Sequence, residues 1–359
     1  MKIVTIFGTR PEIIKLSALI PLFDVEFDQI LIHTGQHYSY TMDQIFFDDL
    51  QIRSCDYTLN VGSGSHAKQT GKMLMLLEDI LIKEQPDAVI VQGDTNSTLS
   101  GALAASKLNI PIVHIEAGCR SFDGRMPEEI NRVLVDHISR YLFAPDQNAY
   151  NNLIEEGIPK EKLFLVGNTS IDACLRAMDI FDMVNLDNFI AKENYILLTL
   201  HRQENTSYDG LKEIIKAINK ISENIKVIFP VHLRTKKIID ECNIEISNNV
   251  VMTDPLGYKD FIGLIASSKF VLTDSGGVQE EAAVLNIPCF ILRDTTEWMV
   301  YVEAGKNMII GTDSEKIIDS VNDLVNNPEK IEDMKNIKIQ IEGNPSKKIV
   351  STLKKKLKN

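Results

Sequence analysis

The sequence predicts an α/β protein built from two doubly wound parallel sheets, and three observations lead to that prediction. Short continuous apolar runs rich in Val, Ile and Phe alternate with helical patterns, as in parallel sheets covered by helices on both faces. Six of these apolar runs are followed by a polar stretch and then by six more runs, which indicates two such domains. The length of 359 residues agrees, because a domain typically takes ~150 residues.

The strands are the short runs dominated by β-branched, aromatic and other apolar side chains, bounded by turn-forming or polar residues. In the first domain we predict them at residues 2–7, 29–33, 88–92, 112–116, 141–143 and 164–166. In the second domain we predict them at residues 195–199, 226–229, 250–252, 270–273, 288–292 and 308–310. Helical spacing of apolar residues is clearest at 68–84, 128–139, 208–222 and 277–285.

The polar stretch is the Asn- and Asp-rich segment 184–193, and we place the domain boundary slightly earlier, after residue 168. This gives a first domain at 1–168, a second at 169–345, and a tail at 346–359 that is able to pack back on the first domain. Ligands of open parallel sheets bind beyond the carboxyl ends of the strands, so the predicted site is a cleft that the two domains face.

Composition narrows the function classes. Lys and Arg number 38 against 50 Asp and Glu, a net charge of −12, which argues against broad binding of nucleic acid. The six lysines of the tail fit a solvated helix face. Five scattered cysteines without a Cys-x-x-Cys pair favour a reducing cytoplasm and no structural zinc. The first apolar run ends at Phe7 and none approaches ~18 residues, so we expect neither a signal peptide nor membrane insertion.

Two cations follow the first strand, in the segment Gly8-Thr9-Arg10-Pro11-Glu12 and one turn beyond it. Thr9 and Glu12 have capping-box spacing, and a well-capped helix accounts for both. Neither Arg10 nor Lys15 is needed for a cap. Cations beside a helix N-terminus at a strand end predict a phosphate site.

Three carboxylates stand at strand ends or helix starts of the first domain. Asp94 follows a strand where Thr95 is able to cap the next helix, and Glu116 ends a buried strand beside glycine. Glu128 and Glu129 open another helix, and the helix dipole explains only one of them. A carboxylate cluster suits proton transfer, because repulsion and burial raise pKa values toward neutrality.

In the second domain, His201 follows a strand and is the best candidate for a general acid or a phosphate contact. The strongest single signal is the turn at Asp274-Ser275-Gly276-Gly277, which joins a strand to a helix. Its glycines let the backbone approach an anion at free helix N–H groups. Glu281 lies one turn into that helix, where it can reach a ribose. The turn fits neither a Walker loop nor a Gly-x-Gly-x-x-Gly fingerprint.

Together these segments resemble the non-hydrolysing UDP-N-acetylglucosamine 2-epimerases over nearly the whole chain. The order and spacing carry the resemblance, in the segments 8–12 with Lys15, 33–37, 93–95, 114–118, 127–132, 201–202 and 273–281. The resemblance implies two Rossmann-like domains like those of B-type glycosyltransferases, usually in a homodimer. It also implies a UDP-sugar substrate, with no metal and no redox cofactor.

By the same resemblance, the diphosphate would be bound by Ser275, Gly276, Gly277, Arg10 and His201. Glu281 would bind the ribose, and Phe261 would stack on the uracil. The family's catalytic positions fall on Lys15, Asp94, Glu116, Glu128 and His201. The implied reaction inverts C2 by eliminating UDP to a 2-acetamidoglucal and adding it back, as in the synthesis of cell-surface glycan precursors.

Two departures from the family pattern concern the substrate. Trp298 stands where many members have an arginine, and the loop before Pro127 is short and basic, with Arg120 and Arg125. Both features look like a subgroup acting on UDP-2,3-diacetamido-2,3-dideoxy-glucuronate. An arginine of the loop would then pair with the C6 carboxylate, and Trp298 would pack on the 3-acetamido methyl. A loop difference without consequence for the substrate is the alternative.

Three other functions stay open at this stage. A B-type glycosyltransferase would share the fold and the nucleotide site but needs no carboxylates for C2. A non-catalytic UDP-sugar sensor would be expected to lack those carboxylates. A hydrolysing epimerase, which releases free N-acetylmannosamine, is compatible with every residue named above.

Overall fold

The computed structural model describes residues 1–36, 46–181, 194–202, 204–296, 298–337 and 344–358. The chain forms two compact units, Met1–Arg176 with Glu342–Asn359, and Ala177–Ile341. The division falls within the helix Thr169–Asp179, which begins directly after the boundary predicted from the sequence. The predicted linker at 184–193 lies outside the described residues.

The first unit contains a parallel sheet in the order β3-β2-β1-β4-β5-β6-β7. Its strands are β1 Lys2–Phe7, β2 Asp28–His33, β3 Tyr57–Thr58, β4 Ala88–Gln92, β5 Ile112–Ile115, β6 Tyr141–Ala144 and β7 Leu163–Leu165. The sequence reading missed β3, because two half-buried residues cannot display a periodic pattern. It also placed Glu116 inside β5, whereas the strand ends at Ile115.

The helices of this unit cover the faces of its sheet. They are Arg10–Leu16, Ile20–Glu26, His66–Glu84, Asn96–Lys107, Pro127–Ile138, Gln147–Glu155, Thr169–Asp179 and Pro345–Lys358, with a 3₁₀ turn at Lys160–Lys162. The helix His66–Glu84 buries Met73, Leu77 and Leu81, which recur at a spacing of four and form one apolar face. Thr95 caps the next helix by accepting from the Thr98 N–H at 3.1 Å, so Asp94 is free of that role, as predicted.

The second unit repeats this architecture with a parallel sheet in the order β10-β9-β8-β11-β12-β13. Its strands are β8 Tyr195–Thr199, β9 Lys226–Pro230, β10 Val250–Thr253, β11 Val271–Thr273, β12 Cys289–Ile291 and β13 Asn307–Ile309. Its helices are Tyr208–Ile221, Leu233–Glu241, Tyr258–Ser267, Gly276–Val284, Met299–Glu303, Ser314–Asn326 and Pro328–Asn336. The predicted fold class, two doubly wound parallel sheets, is confirmed.

The strand order reverses between β1 and β4 in the first sheet and between β8 and β11 in the second. Ligands of doubly wound sheets bind at such switch points, beyond the carboxyl ends of the strands. The segments that follow these four strands hold Arg10, Asp94, His201 and Ser275. The topology therefore brings the sequence motifs to the edge of each sheet where ligands bind.

The lysine-rich tail forms the helix Pro345–Lys358, which packs on the helix Ile20–Glu26 of the first unit. Ile349 and Leu353 are buried, and Lys354 pairs with Glu26. The lysines thus lie on the outer part of an anchored helix. Within the described residues, no helix combines the length and the apolar character needed to cross a bilayer.

Candidate active site

The turn after β1 is organised by Glu12. Its buried carboxylate accepts from the Gly8 N–H at 3.0 Å, the Thr9 hydroxyl at 2.8 Å and the Thr95 hydroxyl at 2.9 Å. Burial raises the pKa of Glu12, and these hydrogen bonds oppose the rise. The capping-box spacing is present, but Thr9 makes no side-chain cap and donates to Glu12 instead. Glu12 therefore ties the turn after β1 to the turn after β4.

Gly8 leaves no room for a side chain, because an added Cβ would lie 1.8 Å from the Thr34 hydroxyl oxygen. The two cations beyond it have different surroundings. The Arg10 guanidinium lies over the Phe46 ring, 5.0 Å from its centroid. The Lys15 Nζ lies 2.7 and 2.6 Å from the two carboxylate oxygens of Glu116. Lys15 thus belongs with the carboxylates.

Glu116 stands in a strained backbone conformation directly after β5. Its φ of 69° lies in the left-handed region that non-glycine residues rarely adopt. Lys15 and the Gln92 amide hold its carboxylate. Strain of this kind persists where the surroundings enforce it, and it clusters at functional sites. The turn aims the Glu116 side chain at Lys15 rather than along the strand.

Asp94 pairs with Arg132, whose Nη1 lies 2.5 Å from its carboxylate. Burial raises the pKa of Asp94, and Arg132 opposes the rise. The charges of Glu116 and Glu128 raise this pKa further, while Lys15 lowers it. These interactions place the three predicted carboxylates in one electrostatic cluster, which the sequence suggested from their positions at strand ends and at a helix start.

The two glutamates that open the helix Pro127–Ile138 have separate roles. Glu129 is buried and accepts from the Ser121 and Phe122 N–H groups at 2.9 and 3.0 Å, and from Arg132 at 3.0 Å. It fixes the preceding loop. Glu128 is exposed and lines a cavity together with Asp94. Glu128 is therefore the member of the pair that is available to a ligand.

That cavity, of about 340 Å³, is lined mostly by polar residues and lies wholly in the first unit. Besides the acids it is lined by the side chains of Gln36, His66, Gln69, Asn96 and Asn131. The Asn131 amide donates to the Asp94 carbonyl at 2.8 Å, and the Asn96 amide donates to Gln69 at 2.8 Å. Sequence reasoning gave these amides and His66 no role, although Gln36 and Asn131 stand within the motif segments 33–37 and 127–132.

In the second unit, His201 is held by a carboxylate that sequence reasoning did not single out. The buried Asp274 accepts from the His201 Nδ1 at 2.9 Å, from the His201 and Arg202 N–H groups at 3.1 Å, and from the Asn205 amide at 3.1 Å. Burial would raise the pKa of Asp274, but these hydrogen bonds hold it below its ordinary value. The half-exposed ring therefore directs its Nε2 outward.

The glycine turn opens the helix Gly276–Val284 after β11, with Ser275 at the N-cap. The Ser275 side chain does not cap the helix, and the backbone N–H of Ser275 donates to the Thr273 hydroxyl at 3.0 Å. A Cβ at Gly277 would meet no described residue within 4 Å, so the turn has room beside it for a ligand. The first N–H groups of a helix lack partners within it and suit an anion.

Glu281 and Phe261 are the predicted nucleoside contacts. Phe261 is half-buried on the helix Tyr258–Ser267, which packs on the helix that carries Glu281. Burial raises the pKa of Glu281 from its ordinary 4.5 to about 7, against the opposing hydrogen bond of Tyr258. The carboxyl group is thus partly protonated near neutral pH.

This shift predicts a pH dependence of stability. Between pH 4.5 and about 7 the folded second unit binds more protons at Glu281 than the unfolded chain, so its stability falls as pH rises. Glu281→Gln should remove this contribution, and the gain in melting temperature over the unaltered protein should grow from pH 5 to pH 8. Fluorescence of Trp298, the single tryptophan, reports unfolding of this unit. An equal shift at both pH values would contradict the prediction.

The candidates for substrate specificity differ in availability. The Arg120 side chain is 1% exposed, and its guanidinium binds Asp136 at 2.8 Å and Glu156 at 2.6 Å. It belongs to the interior, which corrects the expectation that it faces a substrate. Arg125 is 90% exposed and pairs with Asp123. The Trp298 ring stacks on Tyr301, and its Nε1 is buried with no hydrogen-bond partner among the residues that the structure describes.

Comparison with known proteins decides the family. The profile for UDP-N-acetylglucosamine 2-epimerase matches residues 23–354. The UDP-N-acetylglucosamine 2-epimerase of Methanocaldococcus jannaschii is 48% identical over 339 residues, which cover 91% of this chain and 93% of that protein. This chain belongs to the UDP-N-acetylglucosamine 2-epimerase family. It is accordingly an enzyme of the isomerase class, and the resemblance found in its motifs is confirmed.

One further relative and one solved structure extend this comparison. The UDP-2,3-diacetamido-2,3-dideoxy-D-glucuronate 2-epimerase of Pseudomonas aeruginosa is 44% identical over 330 residues, covering 89% of this chain and 91% of that protein. A crystal structure of the Methanocaldococcus jannaschii enzyme in complex with UDP-GlcNAc and UDP superposes with a TM-score of 0.80. It is 46% identical and covers 98% of this chain and 99% of that one.

Proposed function

We propose that this enzyme interconverts UDP-N-acetylglucosamine and its C2 epimer, UDP-N-acetylmannosamine, and so supplies precursors of cell-surface glycans. The observation that carries the proposal is the cluster of Asp94, Glu116 and Glu128 at the switch-point edge of the first sheet. Inversion at C2 needs a proton removed from one face and a proton delivered to the other. A cluster of carboxylates with a raised pKa among them is suited to both tasks.

The first step is an elimination. The C2–H bond breaks and its proton passes to a carboxylate, while the C1–O bond breaks and its electron pair leaves with UDP. No carbonyl group adjoins C2, so departure of the diphosphate must first build positive charge at C1. Carboxylates stabilise that charge, as they do in glycoside hydrolysis. The neutral product is a 2-acetamidoglucal.

The second step reverses the first on the other face. UDP adds back to C1, and a carboxylic acid delivers a proton to C2. Asp94, whose pKa is raised by burial, suits proton exchange better than an ordinary aspartate does. Lys15 and Gln92 fix the Glu116 carboxylate for its part. We assign proton transfer at the two faces of C2 to the three carboxylates together and give no single face to any one of them.

UDP recognition is assigned to the second unit. The N–H groups of Gly276 and Gly277 and the hydroxyl of Ser275 would bind the diphosphate, with the His201 ring, held by Asp274, beside it. Glu281 would accept from ribose hydroxyls, and Phe261 would stack on uracil. Arg10 is assigned to the diphosphate as well, which its place after β1 permits.

The test incubates the enzyme in D2O with UDP-N-acetylglucosamine or with UDP-N-acetylmannosamine and follows each reaction by proton NMR. We expect deuterium at C2, a mixture of two epimers reached from either side, and traces of glycal. Absence of C2 exchange with each of the two UDP-sugars would sink the proposal. Free sugar as the main product would establish the hydrolysing alternative instead.

The second candidate substrate, UDP-2,3-diacetamido-2,3-dideoxy-glucuronate, is favoured by the 44% identity to an enzyme of that name and by the exposed Arg125. If Arg125 pairs with the C6 carboxylate, Arg125→Ala should raise KM for this substrate by about tenfold and leave UDP-N-acetylglucosamine unaffected. An equal effect on the two substrates would argue against that pairing.

We further propose a homodimer formed through the outer face of the helix Pro127–Ile138. Ile130 and Leu134 are 49% and 47% exposed, and Met126 and Ile138 extend the same stripe at a spacing of four. An exposed apolar stripe on a well-formed helix marks an interaction surface. The helix also carries Glu128, so a second copy of the chain would pack against an element of the candidate site.

The paired substitution Ile130→Glu and Leu134→Glu should therefore weaken self-association by at least ~10²-fold, because it places like charges opposite each other and removes the apolar contact. Light scattering behind a sizing column measures the mass. The matched control is Val25→Glu, since Val25 is 81% exposed on the helix Ile20–Glu26, away from the stripe. A mutant that elutes at the same mass as the unaltered protein would rule out this surface.

A further inference from the structure

One network of buried, charged side chains takes no part in the chemistry proposed above. It consists of His114, Asp136 and Arg120, and we refer to it as the buried network. The His114 Nδ1 lies 2.7 Å from one Asp136 oxygen, and the Arg120 guanidinium lies 2.8 Å from the other. At most 1% of each side chain is exposed. Buried ion pairs seldom improve stability over apolar residues, so the network calls for another explanation.

The His114 ring connects the network to Asp94. Its Nε2 lies 2.8 Å from the Gly93 carbonyl, so acceptors face both ring nitrogens and the ring donates to both as an imidazolium. Burial would lower the pKa of His114, but Asp136 and the Gly93 carbonyl raise it. Gly93 has a φ of 72° and immediately precedes Asp94. The ring therefore fixes the peptide from which the Asp94 side chain departs.

The Asp136 carboxylate connects the network to Glu116. Besides its two cationic partners it accepts from the Gly118 N–H at 3.0 Å. Gly118 has a φ of 83°, and a Cβ there would lie 2.2 Å from the Ala149 carbonyl oxygen. The Asn152 amide donates to the Gly118 carbonyl at 2.9 Å. The strained turn at Glu116 is thus held two residues downstream.

The third connection runs through the helix Pro127–Ile138, which carries both Asp136 and Glu128. Each of the three carboxylates in the cluster therefore stands on an element that the buried network contacts directly. Arg120 anchors the network in turn, through two hydrogen bonds to Glu156 at 2.6 and 2.7 Å. The left-handed conformation of Glu116, which lies between two glycine turns, needs such external support because it is not a glycine.

We infer that His114 and Asp136 are positioning residues, which hold Asp94, Glu116 and Glu128 in the mutual arrangement that proton transfer at C2 requires. The inference rests on the proposed function. Proton transfer demands hydrogen-bond reach, and a displacement of ~1 Å by a remote mutation is able to cost ~10²-fold in rate. The network would thus act on kcat through the backbone of the two turns, without touching substrate.

The test compares His114→Gln and Asp136→Asn with the unaltered enzyme. Each variant keeps a donor or an acceptor of similar size but removes the buried charge. We expect kcat to fall by ~10²-fold, while KM and the Kd for UDP stay within about twofold, because all the residues assigned to UDP except Arg10 lie in the other unit. Asp136→Glu, which keeps the charge, should recover part of kcat.

His137→Gln is the matched control, because it removes a half-exposed histidine from the same helix. A kcat within about threefold of the unaltered enzyme in both His114→Gln and Asp136→Asn would overturn the inference. Backbone amide exchange provides a readout that does not depend on activity. The amides of residues 93–95 and 116–121 should exchange at least ~10-fold faster in both variants, with the rest of the unit unchanged.

These measurements separate the inference from the proposed function. Failure of the unaltered enzyme to exchange C2 would refute the function, and amide exchange would then decide the positioning claim by itself. Unchanged protection of the two turns, or faster exchange throughout the unit, would overturn it. The second result would indicate that the network serves stability alone.

Discussion

Glu116→Gln is expected to lower kcat by at least ~10²-fold while the enzyme still binds UDP. Glutamine has nearly the same shape and bears the same strain at a φ of 69°, so the comparison isolates the carboxylate charge. That charge is held by Lys15 and stands beside Asp94, whose raised pKa depends partly on it. Loss of the charge removes both a proton-handling group and the stabilisation of positive charge on the sugar ring.

The rate of C2 deuterium exchange and the calorimetric Kd for UDP measure the two halves of this prediction. Glu161→Gln is the matched control, because Glu161 is exposed in the 3₁₀ turn Lys160–Lys162. It should leave both quantities unchanged. A Glu116→Gln enzyme with near-normal exchange would remove Glu116 from the proposed chemistry. Loss of folding in that variant would favour a structural role.

Asp274→Asn should weaken UDP binding by at least ~10-fold and destabilise the second unit by about 3 kcal/mol. The Asp274 carboxylate accepts from His201, Arg202 and Asn205, and the amide group of asparagine would face one of those donors with its own N–H. The His201 ring would lose the partner that orients it. The strand end that leads into the glycine turn would lose its fixed geometry.

Calorimetric titration with UDP gives the affinity, and denaturant unfolding followed by Trp298 fluorescence gives the stability of the second unit. Asp254→Asn serves as the control, because Asp254 is 77% exposed and pairs only with Lys236 among the ion pairs of the described residues. We expect no more than about 0.5 kcal/mol from that change. An Asp274→Asn protein with unaltered UDP affinity would show that this carboxylate does not organise the nucleotide site.

Apolar strand patterns and turn-forming residues were enough to predict most of the fold. Buried parallel strands read as continuous apolar runs, so 12 of the strands in the described sheets were found close to their observed bounds. The exception, Tyr57–Thr58, is too short to leave a pattern and owes its strand character to pairing with His33 and Ile32. Pairing of this kind is a long-range property that local sequence does not encode.

The candidate site divides in the same way. Asp94, Glu116, Glu128, His201 and the glycine turn were found from the sequence, because strand ends and helix starts are recognisable locally and parallel sheets align them at one edge. Their pairings were not. Lys15 was predicted as a site residue, but its contact with Glu116, like that of Arg132 with Asp94 and of Asp274 with His201, joins segments distant in the chain.

Arg120 shows the limit most clearly. In the sequence it is a basic residue in a loop before a helix that opens with two glutamates, and it was one of two candidates to pair with a substrate carboxylate. In the structure it is buried against Asp136 and Glu156, 16 and 36 residues away along the chain. A charge pattern cannot tell whether a cation meets a ligand or an internal acid, because both supply the same partner.

The sequence by itself therefore determined the two doubly wound sheets, the family, and the sheet edge that holds the candidate site residues. These depend on local periodicity, on turn residues and on the order of motifs. Only the tertiary structure decided which acids are structural, as with Glu129, and which stay accessible, as with Glu128. The physical reason is that the pKa and the availability of a carboxyl group depend on burial and on neighbouring charges, which only folding brings together.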